Sequence, residues 1–152
     1  MRTKTDIRFV VDADPEQVMD ALAAVEMLPE WSTSYSDARV ASRDDELRPR
    51  RVFVKAELMG RSDLQVLEFA WTQTRSSWEI TDSTERVKGG GWFEVTGGEE
   101  GTDVWYHVDI YLPIPIPGML LKRTMRRTNE TVVQNFIEFA EGFTENGNYQ
   151  AV

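Results

Sequence analysis

Residues 121–143 read LKRTMRRTNETVVQNFIEFAEGF and carry the strongest helical pattern in the chain. Mostly apolar side chains recur there at alternating spacings of four and three residues, which is the period of one helix face. These positions are Leu121, Met125, Thr128, Val132, Phe136, Ala140 and Phe143, with Val133 and Ile137 widening the stripe. The pattern predicts an amphipathic helix of about 25 residues, ended by Asn146, Gly147 and Asn148.

Upstream of this helix, residues 35–112 show no helical period and instead alternate apolar and polar side chains in short stretches. Six strands are predicted, over residues 35–43, 51–59, 64–73, 77–81, 91–96 and 103–112. The short loops between neighbouring strands favour one antiparallel sheet. Residues 113–118, Pro-Ile-Pro-Ile-Pro-Gly, cannot continue a strand ladder and are predicted to form an extended crossing.

The N-terminal part adds a first strand at 7–11 and a helix start directly after it. Asp14 can cap this helix, Pro15 suits its first position, and Glu16 is favoured at the positive end of the helix dipole. A second helical turn is predicted around residues 28–31. The order of one strand, two short helices, six strands and a long helix indicates an α+β protein, with residues 1–152 in a single domain.

Composition excludes several classes of site. The 152 residues hold 26 acids and 17 bases, and the resulting charge of −9 disfavours nucleic acid and membranes as partners. No apolar run approaches the roughly 18 residues of a membrane helix, so stable membrane insertion is not expected. Cysteine is absent and His107 is the one histidine, which excludes thiolate–zinc sites, iron–sulfur clusters and sites that need two imidazoles. Neither a metal nor a dissociable cofactor is expected. The N-terminal residues lack a signal-peptide pattern, which predicts a cytoplasmic protein.

Four local motifs, in a fixed order, carry a family resemblance. They are FVVDADPEQV at 9–18, LPEW at 28–31, SWEI at 77–80 and LPIPIPG at 112–118. Over about residues 5–143 they resemble the START-like (SRPBCC, helix-grip) superfamily, specifically its polyketide cyclase/dehydrase and lipid-transport branch. The motifs match that branch's first strand and helix start, its YPEW turn, its central xWxL strand and the proline-rich lead-in to its last helix. The chain departs from the pattern at Met27 and Leu28, where an aromatic residue commonly precedes the proline, and in the glycines 89–91.

This resemblance implies a helix-grip fold, in which a curved antiparallel sheet of about seven strands wraps around the C-terminal helix. It also implies a deep cavity between sheet and helix that holds a hydrophobic small molecule. Periodicity alone is equally consistent with a filled core. Large aromatics on the inward strand faces, and Met119 and Met125 on the helix, favour a cavity. The residues expected to bind the ligand are Trp31, Tyr35, Val54, Leu58, Phe69, Trp71, Trp78, Phe93, Tyr106, Val108, Met125 and Phe136.

No catalytic residue is predicted. Strand alternation sends His107 to the outer face beside Asp109, which is typical of a surface pair. A one-residue bulge would instead turn His107 inward as a general base held by Asp109. Glu57 and Glu68 alternate with apolar residues and should face water, so no inward carboxylate pair is available for hydrolysis.

Two features have both a structural and a functional interpretation. Lys122, Arg123, Arg126 and Arg127 cluster at the start of the long helix, where positive charge opposes the helix dipole. They form either a solvated face paired with surface acids or a basic site near the cavity mouth for an anionic ligand or an acidic partner. Trp31 and Tyr35, predicted on the loop after the short helix, form either a buried plug or a gate for the ligand.

Three functions follow as hypotheses. The first is binding or carriage of a hydrophobic or amphipathic small molecule (lipid, isoprenoid or polyketide-like) by a monomer or weak homodimer. The second is a polyketide cyclase or aromatase, which would need an inward acid–base group beside Tyr106, such as His107, Asp109, Arg39 or Arg51. The third is a protein-interaction module of the quinone-binding or ribosome-associated type, which a filled cavity and an exposed apolar patch near the basic cluster would favour.

Overall fold

A seven-stranded antiparallel sheet and a long C-terminal helix form the fold in the computed structural model of the protein, which describes residues 1–113 and 115–143. The strands are β1 (Arg2–Val11), β2 (Tyr35–Arg43), β3 (Pro49–Leu58), β4 (Arg61–Trp71), β5 (Arg75–Ser83), β6 (Lys88–Gly98) and β7 (Gly101–Tyr111). The helices are α1 (Pro15–Ala23), α2 (Leu28–Trp31) and α3 (Gly118–Glu141). A 3-10 turn at Val25–Met27 joins α1 to α2.

The strand order across the sheet is β1-β7-β6-β5-β4-β3-β2. Strands β2 to β7 pair with their neighbours in sequence, and β1 pairs with β7, so the first strand and the last strand lie side by side. Helix α3 packs against β1 and against both shorter helices. The predicted α+β class, the helix-grip arrangement and the two short helices after the first strand are confirmed.

Strand β1 begins five residues earlier than the sequence pattern predicts. Its first half carries threonine rather than apolar residues on the inward face, at Thr3 and Thr5, so the alternation of hydrophobicity is lost. Pairing with β7 extends the strand regardless, and the amino group of Met1 donates to the carbonyl oxygen of Leu112 at 2.8 Å. Backbone pairing therefore determines the start of β1, and side-chain hydrophobicity does not.

Strand β2 has the predicted bounds, whereas β5 runs beyond its predicted end at Thr81 to Ser83. The β4–β5 register shifts between Val66 and Leu67, because Thr81 is an extra residue on the β5 side. Such a bulge lets a strand continue after its alternation has broken. It also places Ser83 on the inner face, next to β4.

Helix α1 begins as predicted. The side chain of Asp14 accepts a hydrogen bond from the backbone N–H of Gln17 at 2.8 Å, and Pro15 occupies the first helical position. Gln17 in turn donates from Nε2 to the carbonyl oxygen of Ala140 at 2.8 Å, which adds a side-chain donor to an acceptor at the end of α3. Helix α1 thereby holds the C-terminal end of α3 in place.

Helix α3 is 24 residues long and ends at Glu141, before Gly142. The predicted stripe faces the sheet, and Phe136 and Ala140 are completely buried. Asn146, Gly147 and Asn148, where the pattern placed the helix end, lie outside the described residues, as does residue 114 of the proline-rich segment. None of the helices described is both long and apolar enough to cross a lipid bilayer.

Candidate functional site

A half-enclosed cavity of about 110 Å³ lies between the inner face of the sheet, α3 and the two short helices. Its wall consists mainly of apolar side chains with a few serines and amides. The lining residues are Leu22, Val25, Leu28, Trp31, Ser32, Ser34, Tyr35, Ala56, Leu58, Gln65, Leu67, Phe69, Ser76, Trp78, Ile80, Val87, Phe93, Tyr106, Val108, Ile110, Leu112, Met125, Asn129 and Val132. No histidine, carboxylate, lysine or arginine is among these described residues.

Nine of the twelve side chains expected to bind a ligand line this cavity. They are Trp31, Tyr35, Leu58, Phe69, Trp78, Phe93, Tyr106, Val108 and Met125. The other three, Val54, Trp71 and Phe136, lie outside the cavity wall. Strand alternation and the helix period identify the inward face of an element, but they do not show whether a side chain on that face borders open space.

Each of the three has its own packing environment. Val54 is buried in the filled part of the core. Trp71 stacks on Phe69 near the end of β4, and its Nε1 donates to the carbonyl oxygen of Pro49 at 2.7 Å. Phe136 is completely buried against the ring of Trp31, with the ring centroids 4.8 Å apart.

Met119 was expected to share the cavity-facing side of the last helix with Met125, and this expectation is wrong. Met119 is 80% exposed, while Met125 lines the cavity. Six residues separate them, which at about 100° per residue puts them on different sides of the helix.

Trp31 and Tyr35 lie on regular elements rather than on a loop. Trp31 is the last residue of α2 and Tyr35 is the first residue of β2. Trp31 is buried and packs edge-on against Phe93 and Phe136. Its indole Nε1 is buried and has no hydrogen-bond partner among the described residues. Since buried polar groups are normally paired, this donor is a candidate contact for a ligand oxygen.

Two phenols supply further polar groups in the apolar wall. Neither the Tyr35 nor the Tyr106 hydroxyl forms a hydrogen bond to another part of the chain that the structure describes. Burial raises the pKa of Tyr35 to about 12. Burial, and to a lesser degree the neighbouring Tyr35, raises the pKa of Tyr106 still further above its usual value. Both hydroxyls therefore keep their protons at ordinary pH and can donate to a neutral oxygen acceptor.

Amide side chains add acceptors to the same wall. Asn129 donates from Nδ2 to the hydroxyl of Thr5 at 3.0 Å, and Gln65 donates from Nε2 to Asp63 at 2.7 Å. Both amides thus use a donor inside the protein, and both residues line the cavity. A ligand hydroxyl could bond to the phenols or to the amide oxygens, whereas a ligand carbonyl could only accept from a donor such as a phenol.

Asp63 is a buried carboxylate that the sequence pattern did not reveal. Its side chain is fully buried and accepts four hydrogen bonds, from Gln65 Nε2, Ser83 Oγ and Thr84 Oγ1 at 2.7 Å each and from the backbone N–H of Glu85 at 3.0 Å. Burial raises the pKa of Asp63, but these hydrogen bonds outweigh it and leave the pKa below its usual value. Asp63 orients Gln65 in the cavity wall and joins β4 to the β5–β6 turn.

The aromatic part of the wall depends on a glycine. The rings of Phe93 and Tyr106 stack with centroids 4.4 Å apart, and the ring of Trp78 lies beside both. A Cβ atom on Gly91 would lie 2.7 Å from the Trp78 ring and 2.3 Å from the carbonyl oxygen of His107. The glycine run that departs from the family pattern therefore makes room for an aromatic side chain of the cavity wall.

His107 lies on the outer face of the sheet, as strand alternation predicts. Its Nδ1 is hydrogen-bonded to Asp6 at 2.9 Å, and its ring stacks on Trp92. Asp109, the expected neighbour, is instead paired with Arg2. Among the described residues, no group of three or more histidine, aspartate or glutamate side chains could hold a metal ion.

The sheet, the long helix across it and the apolar cavity between them define the class. This is the helix-grip arrangement of START-like proteins. The family model described as "Polyketide cyclase / dehydrase and lipid transport" matches residues 11–137, and the chain belongs to this family.

Solved structures share the fold at low sequence identity. A START superfamily protein from Mycobacterium smegmatis aligns with a TM-score of 0.75 and 16% identity, over 90% of this chain and 94% of that one. The Zhui aromatase/cyclase from a Streptomyces species aligns with a TM-score of 0.76 and 10% identity, over 93% and 94% of the two chains. A Thermus thermophilus protein aligns with a TM-score of 0.71 and 21% identity, over 91% and 95%. No curated protein sequence matches the chain significantly.

Proposed function

We propose that the protein binds a neutral, mainly apolar small molecule that carries a carbonyl or hydroxyl oxygen. The observation that carries this proposal is an apolar cavity with the hydroxyls of Tyr35 and Tyr106 in its wall, neither of them hydrogen-bonded to the described residues. Buried apolar area would supply most of the affinity, at about 25 cal/mol per Å² before ordering costs. The two phenols and the Trp31 indole would select ligands that accept hydrogen bonds.

The size of the cavity constrains the ligand. Pockets for drug-sized molecules usually measure about 300–1,000 Å³, and this cavity has about 110 Å³. A larger ligand therefore needs the wall to widen. Met125 and Leu58 are suited to this, because they are partly buried and their side chains can change rotamer without breaking a hydrogen bond. Small aromatic molecules are expected to bind without such a change.

The composition of the cavity wall favours carriage of a ligand over cyclase chemistry. A cyclase of the Zhui type is the enzymatic alternative suggested by the structural likeness. The acid–base candidates for such a reaction were His107, Asp109, Arg39 and Arg51, and none of them is among the cavity-lining residues. The two phenols have raised pKa values and are poor general bases near neutral pH.

Native mass spectrometry of freshly purified protein, with organic extraction of the same sample, tests the proposal. We expect a bound species of defined mass, or displacement of anilinonaphthalene sulfonate by added neutral aromatics. A protein that carries no bound species and binds neither the dye nor any neutral aromatic of the panel would contradict ligand binding.

Tyr106→Phe should weaken binding of naphthoquinone by about 2- to 10-fold, because one hydrogen bond contributes roughly 0.5–1.5 kcal/mol. Naphthalene, which has no oxygen, should bind equally to both proteins. The stability of the variant should be unchanged, since the Tyr106 hydroxyl has no hydrogen bond within the described chain to lose. Fluorescence titration measures both affinities, and Tyr111→Phe, on the exposed end of β7, is the matched control. Equal loss of both ligands would show that Tyr106 acts only by packing.

A further inference from the structure

We propose that the exposed face of the first turns of α3 docks the protein on the surface of an anionic membrane. This docking face consists of Met119, Leu120, Lys122, Arg123, Arg126 and Arg127, all of them exposed. The inference is independent of the proposed ligand, because it rests on a different surface and on different residues.

The six side chains lie on one side of α3. At about 100° per residue they span an arc of about 160°, with Met119 near its centre and the cations on both sides of it. The opposite side of the same turns carries Leu121 and Met125, which pack against the sheet and its loops. The inner side of these turns therefore packs on the rest of the fold, and the outer side presents both apolar and basic groups to solvent.

The apolar members are unusually exposed for their type. Met119 is 80% exposed and Leu120 is 51% exposed, and they are adjacent in the chain. Met1 lies beside the first residue of the same helix, since its methyl group is 3.1 Å from where a Cβ on Gly118 would be. Contiguous exposed apolar side chains of this kind commonly mark an interaction site.

The basic members have no acidic partners in the part of the chain that the structure describes. Arg2, Arg43, Arg51 and Arg75 each form an ion pair with an aspartate or glutamate. Within residues 1–113 and 115–143, by contrast, none of the four cations at the start of α3 does so. The interpretation of this cluster as a face paired with surface acids is therefore not supported by the described residues.

The charge is also unfavourable for the helix itself. The first turn of α3 contains no acid and its start has no side-chain cap, so the positive end of the dipole is followed directly by four cations. Residues 118–128 contain no acid at all, in a chain whose net charge is −9. Net charge disfavours an anionic surface, but this segregation of charge offers such a surface a local binding site.

An anionic membrane satisfies both kinds of residue at once. Lysine and arginine bind lipid phosphates and carboxylates, while methionine and leucine enter the boundary between headgroups and acyl chains. A nucleic acid would pair with the cations but leave Met119 and Leu120 in water. An acidic protein is the competing occupant and is distinguished by the experiment below.

Docking would place one end of the cavity against the lipid. Leu112 and Val87, which contact Leu121, also line the cavity, as does Met125 on the inner side of the same turns. The docking face and the cavity are therefore separated by little more than the thickness of one helix.

Vesicle co-sedimentation of the full chain tests the docking face. Wild-type protein should bind phosphatidylcholine vesicles containing about 30% phosphatidylserine, and should bind pure phosphatidylcholine at least 10-fold more weakly. The double variant Arg126→Gln/Arg127→Gln should lose about 20-fold in partitioning, and Met119→Ser/Leu120→Ser should also bind more weakly. Salt should weaken the wild type more than the arginine variant.

The matched control removes two unpaired, exposed arginines from the sheet, as Arg39→Gln/Arg50→Gln, and should bind like the wild type. All variants should melt within a few degrees of the wild type, and the arginine variant should still bind neutral naphthoquinone in the cavity. Equal binding to both vesicle types, or equal loss in the control, would overturn the proposal. So would cation-dependent binding to polyglutamate without binding to vesicles, which would indicate an acidic protein partner instead.

Discussion

Asp63→Ala is expected to lower the free energy of unfolding by about 2–4 kcal/mol, one of the largest losses a single side chain of this protein should cause. The change removes the acceptor for four donors, on Gln65, Ser83, Thr84 and the backbone of Glu85. The buried side chain of Gln65 would keep the full cost of its desolvation, whereas Ser83 and Glu85 are half-buried and Thr84 is exposed, so water can reach these donors. Urea denaturation at neutral pH measures the effect.

Asp45→Ala is the matched control, because Asp45 is exposed in the β2–β3 turn and its side chain makes no hydrogen bond to the described residues. We expect that change to stay within about 0.5 kcal/mol of the wild type. Comparable losses in the two variants would mean that the Asp63 network contributes little to stability.

The contribution of Asp63 should depend on pH in a defined direction. Because the pKa of Asp63 is lower in the folded protein than in the unfolded chain, its ionised form stabilises the fold. This contribution is complete above the unfolded pKa of about 3.9 and is lost as the pH falls through the lower folded value. The stability difference between wild type and Asp63→Ala should therefore be constant from neutral pH to about pH 5 and shrink in stronger acid. A difference that grows on acidification would contradict this assignment.

The position of Asp63 also connects stability to the site. Asp63 accepts from Gln65, whose side chain lines the cavity, and from Ser83, whose hydroxyl accepts from the backbone of the cavity residue Val87 at 2.9 Å. Loss of the carboxylate would leave the side chains of Gln65 and Ser83 free to move. The alanine variant should thus lose ligand affinity as well as stability.

The sequence predicts the order of elements well because each element has a strong local signal. The apolar stripe of α3, the cap at Asp14 and the alternation along β2 are such signals, and the structure contains all three. The first half of β1 was missed because Thr3 and Thr5 replace apolar residues on its inner face. There, long-range pairing with β7 outweighs local preference.

The site could be predicted only in part, for a geometric reason. Alternation finds the inner face, and Trp78, Tyr106 and Val108, which it placed on that face, line the cavity. The polar wall residues Gln65, Ser76 and Asn129 were missed because the prediction was based on large apolar side chains. Gln65 and Asn129 do share a face with predicted neighbours, two residues before Leu67 and four after Met125, so spacing alone could have found them.

Asp63 carried no such signal. It follows Arg61 and Ser62 after a glycine turn, and this composition is typical of an exposed hairpin end. Three of its four partners lie about 20 residues further along the chain and reach it only because the β4–β5 hairpin and its bulge bring them together. The volume of a cavity also cannot be predicted from local sequence patterns, because it depends on how completely side chains from distant elements fill one space.

Val108→Phe should abolish binding of anilinonaphthalene sulfonate and of small aromatics while changing stability by less than about 1 kcal/mol. Val108 lines the cavity, so the added ring atoms can occupy space that no protein atom fills. Burying extra apolar area there offsets much of the cost of ordering the larger side chain. Dye titration and urea denaturation on the same preparation measure the two quantities.

Val54→Phe is the matched control, because Val54 is as deeply buried as Val108 but lies in the filled part of the core. The same substitution there must displace neighbours, which typically costs about 1–3 kcal/mol, and it should leave dye binding intact. Binding can be lost because the cavity is filled or because the protein is destabilised, and the two variants together distinguish these causes. Loss through destabilisation would be larger in Val54→Phe. Val108→Phe could instead lower the free energy of unfolding as much as Val54→Phe does and still bind the dye. The cavity beside Val108 would then not be the ligand site, and the proposed function would lose its physical basis.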